Sequence, residues 1–231
     1  MIFDFSFWRY AFNQQKLIHN LKEAEMRKFG KRLMWILAIG VLVFAIREFW
    51  GMGTVSLTPL LSVGLWETYT VARWTSLLGT LLWAGLYLAF HTYIVAFLFK
   101  KLARMPWRAA IVMQAYVTAL LVFEKALLLA VFAAFGYTLS VSFLSFGPLA
   151  ATFLEEPFLV LFFNQLTVIT AAAIALQYKY VRSFTAAKPW AILLVLIAAH
   201  VAGALIVAYV GLLPLADLFA IFVEEGGVPV E

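Results

Sequence analysis

The sequence contains no cysteine. That excludes disulfides, thiolate metal sites, a cysteine nucleophile and palmitoylation. Charge is scarce as well: Asp, Glu, Lys and Arg make up 13% of the 231 residues, about half of the roughly 25% usual in a globular chain. Serine nucleophile elbows, phosphate-binding glycine loops and HExxH pairs are missing, so ordinary catalysis has no visible apparatus. What is abundant is apolar surface. Hydrophobic residues reach 65%, including 22 Phe, 9 Tyr and 8 Trp, and the mean hydropathy is +0.96. Too little polar area remains to coat a water-soluble particle of this size, which argues against soluble enzymes, disordered tails and nucleic-acid-binding domains. The expected class is all-α, an integral membrane bundle. The net charge of +5 reads as topology and lipid attraction, with no nucleic-acid partner implied.

A bilayer core of about 30 Å needs around 20 apolar residues in a helix. Five stretches meet that length: Leu33–Phe49, Trp74–Phe99, Ala109–Phe135, Pro157–Tyr178 and Pro189–Leu213. They define a transmembrane domain over residues 33–213, between a basic aromatic segment (1–32) and an acidic tail (214–231). Charge placement sets the orientation. Seven cations precede the first span, four lie between spans two and three (Lys100, Lys101, Arg104, Arg108), and three between spans four and five (Lys179, Arg182, Lys188). The loops of opposite parity carry Arg47 and Arg73 with Glu155, Glu156, Asp217, Glu224, Glu225 and Glu231. By the positive-inside rule the N-terminus is cytoplasmic, the C-terminus is outside, and the chain is a multi-pass plasma-membrane protein.

No cleavable signal pattern opens the chain. Phe3, Phe5, Phe7, Trp8, Tyr10 and Phe12 read as an interfacial anchor. The stretch Gln14–Phe29 reads as an amphipathic helix with Leu17, Ile18, Leu21 and Ala24 on its apolar side. The cations Arg27, Lys28, Lys31, Arg32, Lys100, Lys101, Arg104 and Arg108 then form a cytoplasmic basic face, suited to anionic lipid or to docking a partner.

Ionisable groups inside spans are costly and invite a functional hypothesis. Glu124 and Lys125 fall near the middle of the third span and His200 near the middle of the fifth. Glu124 and His200 are expected at about the same depth, as a hydrogen-bonded pair. Ser76, Thr80, Tyr87 and His91 share a helix face, as do Gln114, Thr118 and Lys125; the fourth span adds Asn164, Thr167 and Thr170. Two readings stand: interhelical ties that fix the packing, or a proton or solute pathway through Glu124, His200 and Tyr87. Gly203 and Gly211 read as close helix contacts. No cofactor or metal site is expected.

Two resemblances bear on function. The stretch Arg104-Met105-Pro106-Trp107-Arg108-Ala109-Ala110-Ile111-Val112-Met113-Gln114-Ala115-Tyr116 enters a long span from a basic loop. A short basic turn, Gln177-Tyr178-Lys179-Tyr180-Val181-Arg182-Ser183-Phe184-Thr185-Ala186-Ala187-Lys188, leads into the last span. With five spans and the orientation above, residues 70–213 resemble the Ypt-interacting-protein (Yip) family in its short prokaryotic form. That resemblance implies a non-enzymatic adaptor or assembly protein, an accessory of an ABC-type exporter or another membrane partner, or a homo-oligomer; the family offers no catalytic residues to carry over. The pair Glu155-Glu156 before an apolar helix, with His91 and His200, is more distantly similar to intramembrane glutamate proteases. That motif is broken here: Val160 stands where the family has Arg, Ala204 where it has Asn or Asp, and His91 precedes the glutamates.

Overall fold

A computed structural model describes residues 2–52, 54, 57–136 and 141–213. The acidic tail expected at 214–231 lies outside the described residues. Among those described, four helices are long and apolar enough to cross a membrane. They are α3 (Phe29–Phe49), a 37-residue rod over Trp66–Leu102, α7 (Trp107–Phe135) and α11 (Pro189–Gly211). The shortest, at 21 residues, spans roughly 32 Å at 1.5 Å per residue, enough for the hydrocarbon core. The rod is α5 (Trp66–Ala89) and α6 (Val95–Leu102) joined through one π turn, Phe90–Ile94. Its outward residues Leu78, Leu82, Trp83 and Leu86 are more than 60% exposed, as lipid-facing side chains must be. The protein is therefore an all-α membrane protein.

The expected fourth span is not one helix. It divides into α9 (Pro157–Gln165) and α10 (Val168–Phe184), interrupted at Leu166 and Thr167, so neither half is counted among the four long apolar helices. Hydropathy reads the run as continuous because the apolar content does not change at the break. Asn164, Gln165 and Thr167 mark it instead.

The chain forms two compact units, Met1–Thr138 with Ala171–Leu196, and Leu139–Thr170 with Ile197–Glu231. In the first, α3 packs against α5 and α7, and α6 packs against α7. Leu33 and Ile36 meet Ala115 of α7, while Val43, Leu88 and Val122 form a second cluster farther along, so α3 and α7 run side by side in the same direction. The helices approach closely at Gly40, where an added Cβ would come within 2.8 Å of the Leu88 side chain and 3.0 Å of Val122. Gly136 closes α7 in the left-handed conformation, φ 71°, which glycine adopts without steric cost.

The N-terminal segment is a small built element. Strand β1 (Ile2–Asp4) pairs in parallel with β2 (Glu25–Arg27) across α1 (Phe7–Ala11) and α2 (Gln14–Glu23). Part of the expected aromatic anchor is instead core. Phe5 and Tyr10 are buried in the core of the first unit, and the Phe7 ring stacks on Tyr116 at 4.6 Å. Trp8 and Phe12 stay 75% and 93% exposed. The amphipathic helix expected over Gln14–Phe29 ends at Glu23, where Ala24 turns to extended backbone and leads into β2; within it α2 does bury Leu17 and Ile18, with Leu21 packed beside them.

In the second unit, α8 (Gly147–Phe153) packs on α9. A Cβ added at Gly211 would lie 3.3 Å from the Leu161 side chain, whereas one at Gly203 would meet open space. Only the first of these two glycines is a close helix contact.

Candidate functional site

Inside the first unit the polar side chains form a column along α3, the α5–α6 rod and α7. At the end remote from the N-terminal element, Ser76 donates a hydrogen bond to the buried Glu48 carboxylate. Arg73 donates to the Phe49 carbonyl at 2.7 Å and to the Tyr69 hydroxyl at 3.1 Å. A cavity of about 230 Å³ lies there, lined by Glu48, Tyr69, Arg73 and Trp74. Toward the middle, Lys125 sits 3.9 Å from the buried Glu124 and within electrostatic range of Arg47. Glu124 in turn acts electrostatically on Tyr87, whose ring lies 4.5 Å from that of His91.

His91 and Thr92 occupy the π turn. A π turn adds a residue to the helical repeat and turns a side chain out of register, which is why such turns recur at functional sites. Here it aims Thr92 at Thr118 of α7, and the two fully buried hydroxyls bond at 3.0 Å. One turn before Thr118, Gln114 is fully buried, and neither its amide nitrogen nor its oxygen has a hydrogen-bond partner among the described residues. That is a cost of about 1–3 kcal/mol for the unmet group.

The second unit has a different device. At the α9–α10 break, Ser145 and Thr167 form an antiparallel bridge, with Phe146 N–H donating to the Leu166 carbonyl and Val168 N–H to Leu144. The Asn164 oxygen accepts from the Ser142 amide at 2.7 Å and from the Ser145 hydroxyl at 3.0 Å. Thr170 donates its N–H to the Thr167 hydroxyl at 3.0 Å. Backbone groups freed at the break are thereby satisfied within the protein.

The basic face comes together at the α3 start and the α6–α7 connection of the first unit. Arg27, Lys28, Lys31, Arg32, Lys100, Lys101, Arg104 and Arg108 are all exposed. Lys28 bonds Asp4 across the ribbon, and Arg108 lies 3.8 Å from Glu25. The lysine hydrogen bond holds the Asp4 carboxyl below its usual range. Helix α10 reaches the same end: Tyr180, fully buried, donates to the Gln14 side chain at 2.6 Å.

Of the residues singled out by sequence, Glu124, Lys125, Tyr87 and His91 come together, and Gln114 sits farther along the same helix. His200 lies half-buried on α11 in the second unit, and Glu155 and Glu156 are exposed just ahead of α9. Sequence reasoning missed Glu48, which looked like the polar end of a span, and Thr92, whose role depends on the π turn. Comparison with family models, with curated proteins and with solved structures finds no match for this chain.

Proposed function

We propose that this is a five-crossing plasma-membrane protein of adaptor or assembly type, with no catalytic activity of its own. Its N-terminus and cationic end face the cytoplasm, and its C-terminus lies outside. It binds another membrane protein, and the Yip resemblance suggests an ABC-type exporter. One observation carries the reading. The scarce polar groups of the first unit are spent largely on mutual ties, while eight exposed cations are gathered at one end beside a folded β–α–α–β element. The crossing number is supported by chain direction. Helix α7 leaves the cationic end at Trp107, yet Tyr180 of α10 is bonded back to Gln14 at that end. A return of the chain through α9 and α10, as one interrupted crossing, fits that direction.

A photo-cross-linking residue at Lys101 in the native host tests this. A specific membrane-protein adduct, lost when Arg104 and Arg108 are reversed to Glu, is the expected outcome; adducts to lipid alone speak against it.

The π turn favours a second reading, a solute or proton-coupled transporter using Glu124, Tyr87 and His91. In that case Glu124→Gln abolishes uptake or efflux with folding intact. A destabilised protein from the same change favours the structural tie.

A further inference from the structure

A groove of about 460 Å³ opens at the cationic end between α2 and the end of α10, lined by Gln15, Ile18, Tyr178, Lys179, Arg182 and Ser183. Its volume falls within the roughly 300–1,000 Å³ of small-molecule sites. Its walls are held at fixed spacing by the buried Tyr180–Gln14 hydrogen bond and by Lys22, whose ammonium lies 5.4 Å from the Phe184 ring centre. Two of the lining residues are cations, and among the described lining residues no carboxylate offsets them. Arg182 lies over the Tyr178 ring at 6.0 Å, which keeps its guanidinium at the groove. The acid on α2, Glu23, lies against His19 at 3.2 Å and does not line the groove. The floor is apolar: Ile18 is buried and Tyr178 contributes its ring.

We infer that this groove binds the phosphate headgroup of an anionic phospholipid. A planar guanidinium and an ammonium separated by three positions on one helix suit a phosphodiester, with the Ser183 hydroxyl and Gln15 amide as further polar contacts for the headgroup. A membrane source is favoured over a soluble phosphate ester by the flank of the site. Helix α11 begins there at Pro189 and presents Trp190, Leu194 and Val195, each about 60% exposed. An exposed Trp followed by apolar residues marks the headgroup level with acyl-chain depth beyond it. Basic pockets between helices near that level are where anionic headgroups lodge. The lipid contact needs no protein partner, so it stands apart from the adaptor reading.

The test is native mass spectrometry of the full chain in mild detergent, titrated with phosphatidylglycerol, phosphatidylcholine or glycerol 1-phosphate. Phosphatidylglycerol is expected to bind in preference to phosphatidylcholine. Lys179→Ala with Arg182→Ala lowers that binding about thirtyfold, the factor expected when two basic residues leave an anionic lipid surface. Arg9→Ala, an exposed cation outside both the groove and the basic face, leaves it within about threefold. Gln15→Glu, an exposed position where folding is not at stake, also weakens it by placing a negative charge at the rim. Unchanged phosphatidylglycerol binding in both groove variants overturns the site. Displacement of the lipid by glycerol 1-phosphate at equal concentration overturns the lipid assignment in favour of a soluble phosphate ester.

Discussion

The two interruptions of helical geometry, one in each unit, solve the same problem in opposite ways. In the first unit the rod Trp66–Leu102 stays continuous through its π turn, and the irregularity is paid out in side chains, Thr92 meeting Thr118. In the second, α9 and α10 separate, and the irregularity is absorbed by backbone bonds to the 142–146 loop with Asn164 as the clasp. A side-chain tie can be removed in matched pairs, because both polar groups leave together. A backbone break cannot, because the amides remain when the side chain is gone. The second device should therefore be far less tolerant of substitution.

The largest effect is expected at Gly147. A Cβ there would lie 3.1 Å from the Asn164 α-carbon and 2.9 Å from both the Asn164 and Ser145 side-chain oxygens. Gly147→Leu is expected to cost about 3 kcal/mol through overpacking, and Asn164→Leu a similar amount by orphaning the Ser142 amide. Reversible unfolding in mixed micelles measures both; wild-type stability in either variant would mean that the clasp is idle.

The π-turn pair is the sharper contrast. Thr92→Val or Thr118→Val alone should cost about 1 kcal/mol, and the double variant should recover most of it, a double-mutant cycle with clear coupling. Additive losses would show that the two hydroxyls act separately. Gln114→Leu should be neutral or stabilising by about 1 kcal/mol, since it removes a buried amide without a partner among the described residues. A loss of activity at unchanged stability would instead place Gln114 on a transport path.

The smallest effect belongs to the ribbon. Because Asp4 titrates below its usual range when folded, the stabilisation from Lys28 is fully present above the ordinary carboxylate pKa. It is lost as pH falls through the lowered one. Hydrogen exchange of the Phe5 amide, bonded to Arg27 at 3.0 Å, should have an opening equilibrium independent of pH between about 5 and 8 and rising in stronger acid.

Much of the membrane architecture was legible in sequence, because length and hydropathy are local properties. Leu17 and Ile18 were placed correctly on the buried face of α2 by period alone. What was not legible depends on pairing. Phe5 and Tyr10 carry the same aromatic signature as Trp8 and Phe12, yet the first two are core and the others are exposed. Register with Phe29 and Tyr116, more than twenty and a hundred residues away, decides between them. The break at Leu166 lies within an apolar run, and only the bonds it makes to residues 144–146 distinguish it from a continuous span. Among charged residues, Glu124 stood out by its depth, while Glu48 did not, because its burial follows from Ser76 on another helix.

The proposed topology puts the cationic end in the cytoplasm and makes the interrupted α9–α10 segment a full crossing. The natural absence of cysteine lets single cysteines report on this directly, by labelling with a membrane-impermeant maleimide. Ser62→Cys, exposed in α4 (Thr58–Ser62) at the opposite end, should label in intact cells, and Lys101→Cys and Lys179→Cys only after permeabilisation. Labelling of Lys101→Cys in intact cells would contradict the orientation, and labelling of Lys179→Cys from the other side to Lys101→Cys would contradict the crossing.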